Sequence, residues 1–310
     1  PYISKYCSIM IVKRPEERND FMSKNYAYLE NKVISLFKEN EIIKYKDKNL
    51  LVLSSGKPRT RKGGEPKTDC YIKLEDTHTK EILEYKISCK LQSSNEFQEN
   101  KIKAERAKEI FGPNWESIIS TTSKKIDHIF KEQSLNNPNG YKRNKNGHIV
   151  LGWKLEIATK QRILSSKLNL SKEKIRDYIY KGINQEEEKR DAFINENKIK
   201  NSGIANYILI TEIKDINTAE DVLNNIILID NYKIEPHYLI FTANTYNIQN
   251  NKTDGNRPLA VRIEWEIREN ELYPNIKYNS PLTEPSKSKN MKKLLDKIFK
   301  NHPDIKEKYI

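Results

Sequence analysis

The sequence predicts an α/β fold, with a mixed central sheet flanked by helices and a helical insertion. Three observations lead to this prediction. Apolar residues recur at helical spacing near the beginning of the chain, alternate with polar residues in short runs from 49 to 90, and return in strand-like runs after residue 205. The intervening residues 115–201 show mainly helical patterns. No long Gly, Ser or Pro linker divides the 310 residues, so we expect a single domain.

The first elements follow from local patterns. The segment SKNYAYLENKVISLFKENEI predicts a helix that Ser23 caps, with Leu29, Val33 and Phe37 on one face. A strand, NLLVLSS, and a basic glycine loop, GKPRTRKGGEPK, come next. The runs CYIKLED and ILEYKISCK flank the polar THTKE, which predicts a β-hairpin. The segment NEFQENKIKAERAKEIFG predicts the following helix, which Gly112 ends.

These patterns divide the domain into four parts. We expect a core at about 20–112, a helical insertion at about 115–201 and further core strands at about 205–267. The lysine-rich segment SKSKNMKKLLDKIFKNH predicts a basic C-terminal helix at about 287–301.

The charge balance favours a polyanionic partner. Lys and Arg number 56 against 43 Asp and Glu, a net charge of +13. Such a surplus favours nucleic acid first and an anionic membrane surface second, although a lysine-rich surface reflecting an AT-rich genome gives the same balance. The three cysteines form neither a zinc pattern nor a disulfide framework, and no apolar run approaches a membrane span. The first residues lack the pattern of a secretory signal, so we expect a cytoplasmic protein.

A candidate active site lies on the predicted hairpin. Side chains alternate along a strand, so Ser88 and Lys90 project from the same polar face. Asp69 begins the preceding strand, and in a hairpin the start of one strand lies beside the end of the other. We therefore expect Asp69, Ser88 and Lys90 to converge. Hard oxygen ligands beside a lysine suit Mg²⁺-dependent hydrolysis of a phosphate ester, although a solvated hairpin face shows the same spacing.

The segments PKTD and YKISCK, with a helix after them, resemble the PD-(D/E)xK nuclease superfamily, and type II restriction endonucleases in particular. The resemblance implies a restriction-endonuclease-like core in which Asp69 binds Mg²⁺, Lys90 is catalytic and the backbone carbonyl of Cys89 faces the metal. Ser88 occupies the position at which the family has an acidic residue. Pro66 lies three residues before Asp69 instead of next to it. The match covers about thirty residues, or about sixty with the flanking helices.

The serine leaves a negative charge to be supplied from elsewhere. Glu30 shares the apolar face of the first helix, and family members often place a Glu from this helix in the active site. Glu99, on the helix expected after Lys90, is the second candidate. Water and phosphate oxygens are the third. A boundary position that reaches solvent explains Glu30 equally well.

Candidate DNA contacts lie in two basic loops and on one late strand. The first loop leads directly into Asp69, and the second is NGYKRNKNGH. A polar strand face near residue 262 suits base readout or a surface ladder of ion pairs. The candidate DNA-binding residues are Lys57, Arg59, Arg61, Lys62, Lys67, Gln92, Tyr141, Lys142, Arg143, Lys145, Arg257 and Arg262.

The sequence therefore predicts a Mg²⁺-dependent, sequence-specific endonuclease of double-stranded DNA. Two antiparallel strands favour a homodimer. The family resemblance implies a cognate DNA methyltransferase as a functional partner. Two alternatives stay open: a repair or junction nuclease of the same superfamily, and a noncatalytic DNA-binding protein with this fold.

Overall fold

The structure, a computed structural model, describes residues 15–61, 65–94, 96–100, 102–134 and 148–310. The helices within them are α1 (Pro15–Ser35), α2 (Ala104–Phe111), α3 (Trp115–Lys125), α4 (Asp127–Ser134), α5 (Lys172–Lys174), α6 (Glu187–Arg190), α7 (Ala219–Asn225), α8 (Ser288–Asn301) and α9 (Pro303–Glu307). The strands are β1 (Ile42–Tyr45), β2 (Lys48–Gly56), β3 (Cys70–Asp76), β4 (Ile82–Leu91), β5 (Gln98–Glu99), β6 (His148–Ala158), β7 (Ser165–Lys167), β8 (Phe193–Ile194), β9 (Asn197–Lys198), β10 (Tyr207–Thr211), β11 (Ile226–Leu228), β12 (Tyr238–Asn247), β13 (Lys252–Thr253), β14 (Val261–Arg268) and β15 (Glu271–Lys277).

The mixed α/β class predicted from the sequence is confirmed, but the contacts divide the chain into two compact units where one was expected. The first unit contains residues 1–95, 180–183 and 187–232. The second contains residues 96–179, 184–186 and 233–310. Across the described residues, no helix combines the length and the apolar character needed to cross a membrane.

The first unit is built on a six-stranded sheet in the order β1-β2-β3-β4-β10-β11. Neighbouring strands are antiparallel, except that β10 runs parallel to β4. Helix α1 packs on β3 and β4. The core on this side contains Leu29, Val33 and Phe37 from the N-terminal segment, as predicted, together with Cys70 and Cys89 from the strands.

The second unit contains a separate sheet in the order β13-β12-β6-β14-β15, to which β5 and β7 also pair. Phe130 of α4 lies 4.8 Å from the ring of Trp153 on β6 and 5.2 Å from that of Phe241 on β12, measured between ring centroids. These buried aromatic rings form part of the core of this unit.

The helical insertion predicted at 115–201 is wrong over much of its length. Helices α3 and α4 are present, but residues 148–158 form the long strand β6, and β7, β8 and β9 follow. In β6 the buried residues Trp153, Leu155 and Ile157 alternate with the partly exposed Lys154 and Glu156. That period belongs to a strand, and pairing with β12 over ten residues stabilises it.

Two further boundaries differ from the prediction. The helix expected directly after Lys90 is replaced by a 3₁₀ turn at Gln92–Ser94, the short strand β5 and then α2, which belongs to the second unit. Among the strands expected at 205–267, β10 and β11 join the sheet of the first unit, whereas β12 and β14 form the second sheet. The basic helix expected at 287–301 is observed as α8.

Candidate active site

Asp69 lies immediately before β3, where that strand starts beside the end of β4. Its backbone N–H donates to the carbonyl of Ile87 at 2.9 Å, which extends the ladder by one residue. Its Oδ2 atom accepts a hydrogen bond from the backbone N–H of Cys89 at 2.8 Å and another from Ser88 Oγ at 3.2 Å. The structure therefore brings Asp69 and Ser88 together, as the hairpin pairing predicted.

Lys90 follows Ser88 at strand spacing, so both side chains leave the same face of β4. Lys90 is half-buried and Ser88 is buried. Burial raises the pKa of Asp69, and the charge of Lys90 opposes this shift without overcoming it. The ionised carboxylate of Asp69 is therefore less favourable here than in water, although Lys90 and the two hydrogen bonds support it.

Glu30 is held inside the first unit by a lysine. It lies on α1 and is only 9% exposed, so most of its side chain is shielded from solvent. Lys57 Nζ lies 2.5 Å from Glu30 Oε2. Burial and the charge of Asp69 raise the pKa of Glu30, against the opposing effect of Lys57. Burial lowers the pKa of Lys57, but its hydrogen bond to Glu30 and the charge of Glu30 give a net rise.

The donor set fits a hard cation that keeps much of its own hydration shell. No group of three or more His, Cys, Asp and Glu side chains suited to a metal ion occurs in the described residues. Asp69 and Glu30 supply two carboxylates that interact electrostatically. Cys89 donates its N–H to Asp69, and strand geometry directs its carbonyl to the same side. One or two carboxylates with waters and substrate phosphates are the usual ligands of Mg²⁺.

Glu99 does not occupy the position expected of it. It lies on β5 in the second unit instead of on a helix. Two nitrogens of Arg106 bond to its carboxylate, one of them at 3.2 Å. Arg106 also pairs with Glu109 at 3.0 Å. Glu99 is therefore part of an internal ion-pair cluster of that unit.

Several predicted DNA contacts in the first unit surround a cleft of about 850 Å³. Lys57, Arg59 and Arg61 line it, and the two arginines are exposed. Lys67 is half-buried, and its backbone N–H donates to Gly203. Gln92 is exposed in the 3₁₀ turn after β4. Lys62 lies outside the described residues.

The other predicted DNA contacts have different outcomes. Tyr141, Lys142, Arg143 and Lys145 lie outside the described residues. In the second unit Arg257 is half-buried, and its backbone exchanges hydrogen bonds with Ser288.

Arg262 was expected on a strand face open to DNA, and this is wrong. The residue is 7% exposed and its guanidinium bonds to Glu264, to the carbonyl of Asn279 and to Ser286. Glu266 pairs with Arg268 on the same strand. The face is therefore the ladder of ion pairs that the sequence left open as an alternative.

Sequence reasoning missed two features of the site. Lys57 was expected only as a DNA contact, although it is also the counter-ion of Glu30. The hairpin of β8 and β9, which forms a wall of the cleft, was read as helix. Its signal is the pair Asn195 and Glu196 between short strands, because both adopt positive φ, 46° and 72°, as a two-residue hairpin turn requires.

Comparisons with protein-family models, with curated proteins and with solved structures found no match to this chain. What the site does must therefore be inferred from its own residues.

Proposed function

We propose that this protein is a Mg²⁺-dependent, sequence-specific endonuclease that hydrolyses phosphodiester bonds of double-stranded DNA, as a type II restriction enzyme does. One observation carries the proposal: the carboxylate of Asp69 is held by Ser88 and Cys89 where β3 starts, within the electrostatic influence of Lys90. Burial makes the ionised form of this carboxylate unfavourable, and a bound cation would stabilise that ionised form.

The fold of the first unit supports a restriction-endonuclease-like core. Helix α1 packs on an antiparallel run of β2, β3 and β4, and β10 then adds in parallel to β4. This arrangement places the start of β3 and the end of β4 side by side at one end of the sheet, with Glu30 on the helix that packs on these two strands. The catalytic core proposed here is therefore the first unit.

The chain's own residues divide the work. Asp69 and the carbonyl of Cys89 would hold Mg²⁺, which would polarise the scissile phosphate and lower the pKa of a coordinated water. Ser88, at the position where the motif has an acidic residue, donates to Asp69 Oδ2 and so orients the Asp69 carboxylate. Lys90 places a positive charge where negative charge develops on the phosphate during hydrolysis. Glu30 supplies the second carboxylate that Ser88 does not.

The wider setting follows from the substrate. A symmetric dimer presents one site to each DNA strand. A cytoplasmic enzyme of this kind requires a cognate methyltransferase to protect the cell's own DNA. Ser88 keeps a second candidate open, a noncatalytic or a repair- or junction-type DNA-binding protein with this fold, because a neutral hydroxyl is a weaker ligand than a carboxylate.

Incubation of the protein with a long DNA of known sequence distinguishes these functions. We expect a fixed set of fragments with Mg²⁺ and none with EDTA, and none from the Lys90→Ala variant prepared in parallel. Cleavage of branched or damaged DNA alone would indicate the repair or junction enzyme. Binding without cleavage of any of these substrates would indicate the noncatalytic protein.

A further inference from the structure

A cleft in the first unit adjoins the candidate active site through Lys57. Its volume is about 850 Å³. Lys57 lines this cleft, and its Nζ atom is also 2.5 Å from Glu30 Oε2. Glu30 in turn interacts electrostatically with Asp69. Lys57 therefore links the cleft to the candidate active site.

The cleft carries an excess of positive charge. Arg59 and Arg61 line it beside Lys57, whose charge is paired with Glu30 and Glu65. Glu196 is the single acidic residue among the described residues of its lining. Arg59 and Arg61 are exposed, and neither forms an ion pair with a carboxylate in the part of the chain that the structure describes. Their guanidinium groups are thus available to an anion from outside the unit. Arg suits phosphate oxygens because its planar fork donates two parallel hydrogen bonds.

The two walls of the cleft are joined by hydrogen bonds and a ring contact. The backbone of Arg59 exchanges two hydrogen bonds with that of Phe193, at 3.0 and 2.9 Å. The guanidinium of Arg61 lies 4.6 Å from the centre of the Phe193 ring. Asn195, at the hairpin turn, donates its side-chain amide to the carbonyl of Ser55 at 3.0 Å. The backbone of Arg59 and the guanidinium of Arg61 are therefore held in place before any ligand binds, which reduces the entropy lost on binding.

We propose that this cleft binds the sugar–phosphate backbone of duplex DNA next to the scissile phosphate, with Arg59 and Arg61 on phosphate oxygens and the β8–β9 hairpin as the opposite wall. The inference rests on the proposed function for its substrate class. It goes further in assigning a binding site to a hairpin outside the catalytic motif. Because these contacts are to phosphates, they add affinity without sequence preference.

The test measures binding of a fluorescently labelled duplex of mixed sequence in EDTA. Fluorescence anisotropy reports the binding at a range of salt concentrations. The Arg59→Ala/Arg61→Ala double variant removes two phosphate contacts. A charge-matched control, Lys44→Ala/Lys214→Ala, removes two exposed lysines of the same unit that do not line the cleft. Circular dichroism checks folding, and Arg59→Lys/Arg61→Lys keeps both charges while removing the planar fork.

The expected change follows from counterion release. Each phosphate contact contributes about 0.9 to the slope of log affinity against log salt, so the double variant loses about 1.8. With binding at 1 M salt unchanged, this corresponds to about 60-fold weaker binding at 0.1 M. The lysine-for-arginine variant retains most of the slope. The control variant binds as the wild type does.

Three results would overturn the inference. One is an unchanged slope in the folded double alanine variant. Another is an equal loss in the control, which would make the effect one of net charge. The third is that a nucleoside monophosphate binds in a way that requires the two arginines, whereas the affinity for duplex DNA does not change when they are removed. Because binding is measured in EDTA, an absence of cleavage would count against the proposed function alone.

Discussion

Replacing Asp69 by Asn or by Ala separates its structural role from its role toward Mg²⁺. Asn keeps an oxygen that can accept from Cys89 N–H and Ser88 Oγ, and it removes only the charge. Ala removes the acceptor as well. Cys89 is 2% exposed, so its N–H then has no replacement from solvent. A buried donor left without an acceptor costs about 1–3 kcal/mol, which is the expected difference in stability between the two variants.

The charge adds a dependence on pH. Burial raises the pKa of Asp69 above its ordinary value of 3.8. The proton is therefore bound more tightly in the folded state. The stabilisation of the fold by this bound proton is complete below pH 3.8 and is lost as the pH rises through the pKa that Asp69 has in the folded state. At neutral pH and without a cation, Asp69→Asn should be at least as stable as the wild type, and this advantage should disappear in acid.

With Mg²⁺ present, the wild type should become more stable than Asp69→Asn. At ten times its dissociation constant, a ligand that binds only the folded state stabilises it by about 1.4 kcal/mol. The wild type should gain this stabilisation and Asp69→Asn should gain none of it. We also expect Asp69→Asn to cleave DNA at least about 100-fold more slowly, since loss of groups that merely support metal ligands already costs 10–100-fold.

Hydrogen exchange of the segment 69–91, measured by mass spectrometry with Mg²⁺ and with EDTA, provides the readout. Tryptophan fluorescence does not serve, because Trp115, Trp153 and Trp265 all belong to the second unit. Peptides from β12 in the second unit are the internal control. If Asp69→Asn gained the same protection from Mg²⁺ as the wild type, the assignment of Asp69 as a metal ligand would be refuted.

Four further predictions follow, three on the candidate active site and one on Arg262 of the second unit. Lys90→Ala should lower the cleavage rate about 100-fold or more while duplex affinity in EDTA stays near that of the wild type, and a near wild-type rate would remove Lys90 from the chemistry. Ser88→Ala removes one hydrogen bond to Asp69, so we expect cleavage about 2- to 10-fold slower. Glu30→Gln should slow cleavage at least as much as Ser88→Ala and should raise the Mg²⁺ concentration at the midpoint of cleavage. Glu99→Gln should not raise that midpoint. The opposite pattern would assign the second carboxylate to Glu99. Arg262→Ala should lower the unfolding free energy of the second unit by about 1–3 kcal/mol, as measured by tryptophan fluorescence. It should not weaken DNA binding. Weaker binding by a fully stable variant would make Arg262 a DNA contact after all.

Sequence reasoning succeeded where the information was local. The hairpin of β3 and β4 was predicted because alternation of apolar residues sets the faces of each strand and a short polar connection sets their pairing. The placement of Ser88 beside Asp69 follows from those two facts alone. Helices α1 and α8 carry apolar residues at spacings of three and four, and both are observed. The predicted cap at Ser23 is wrong, because α1 begins at Pro15 and Ser23 lies inside it, and α1 ends at Ser35, before Phe37.

The errors came from patterns whose meaning depends on distant residues. The alternation in the run at 148–158 is short and lies within a stretch of mainly helical patterns, and pairing with β12, some ninety residues later in the chain, stabilises the strand. Arg262 looks like a surface residue in its strand, but Asn279 and Ser286 meet its guanidinium inside the unit. Glu99 was the second candidate for the missing carboxylate after Glu30, but the chain enters the second unit at residue 96, so Glu99 lies in that unit.

The sequence by itself determined the hairpin that carries Asp69, Ser88 and Lys90, because strand alternation and a short connection act over a few residues. Only the tertiary structure decided the environment of those residues. Lys57 meets Glu30 across 27 residues of sequence, and Phe193 meets Arg59 and Arg61 across more than a hundred. Burial of Glu30 and Asp69, and hence the direction of their pKa shifts, depends on how many such distant segments pack around them. No short stretch of sequence contains that information, since desolvation is a property of the surrounding fold.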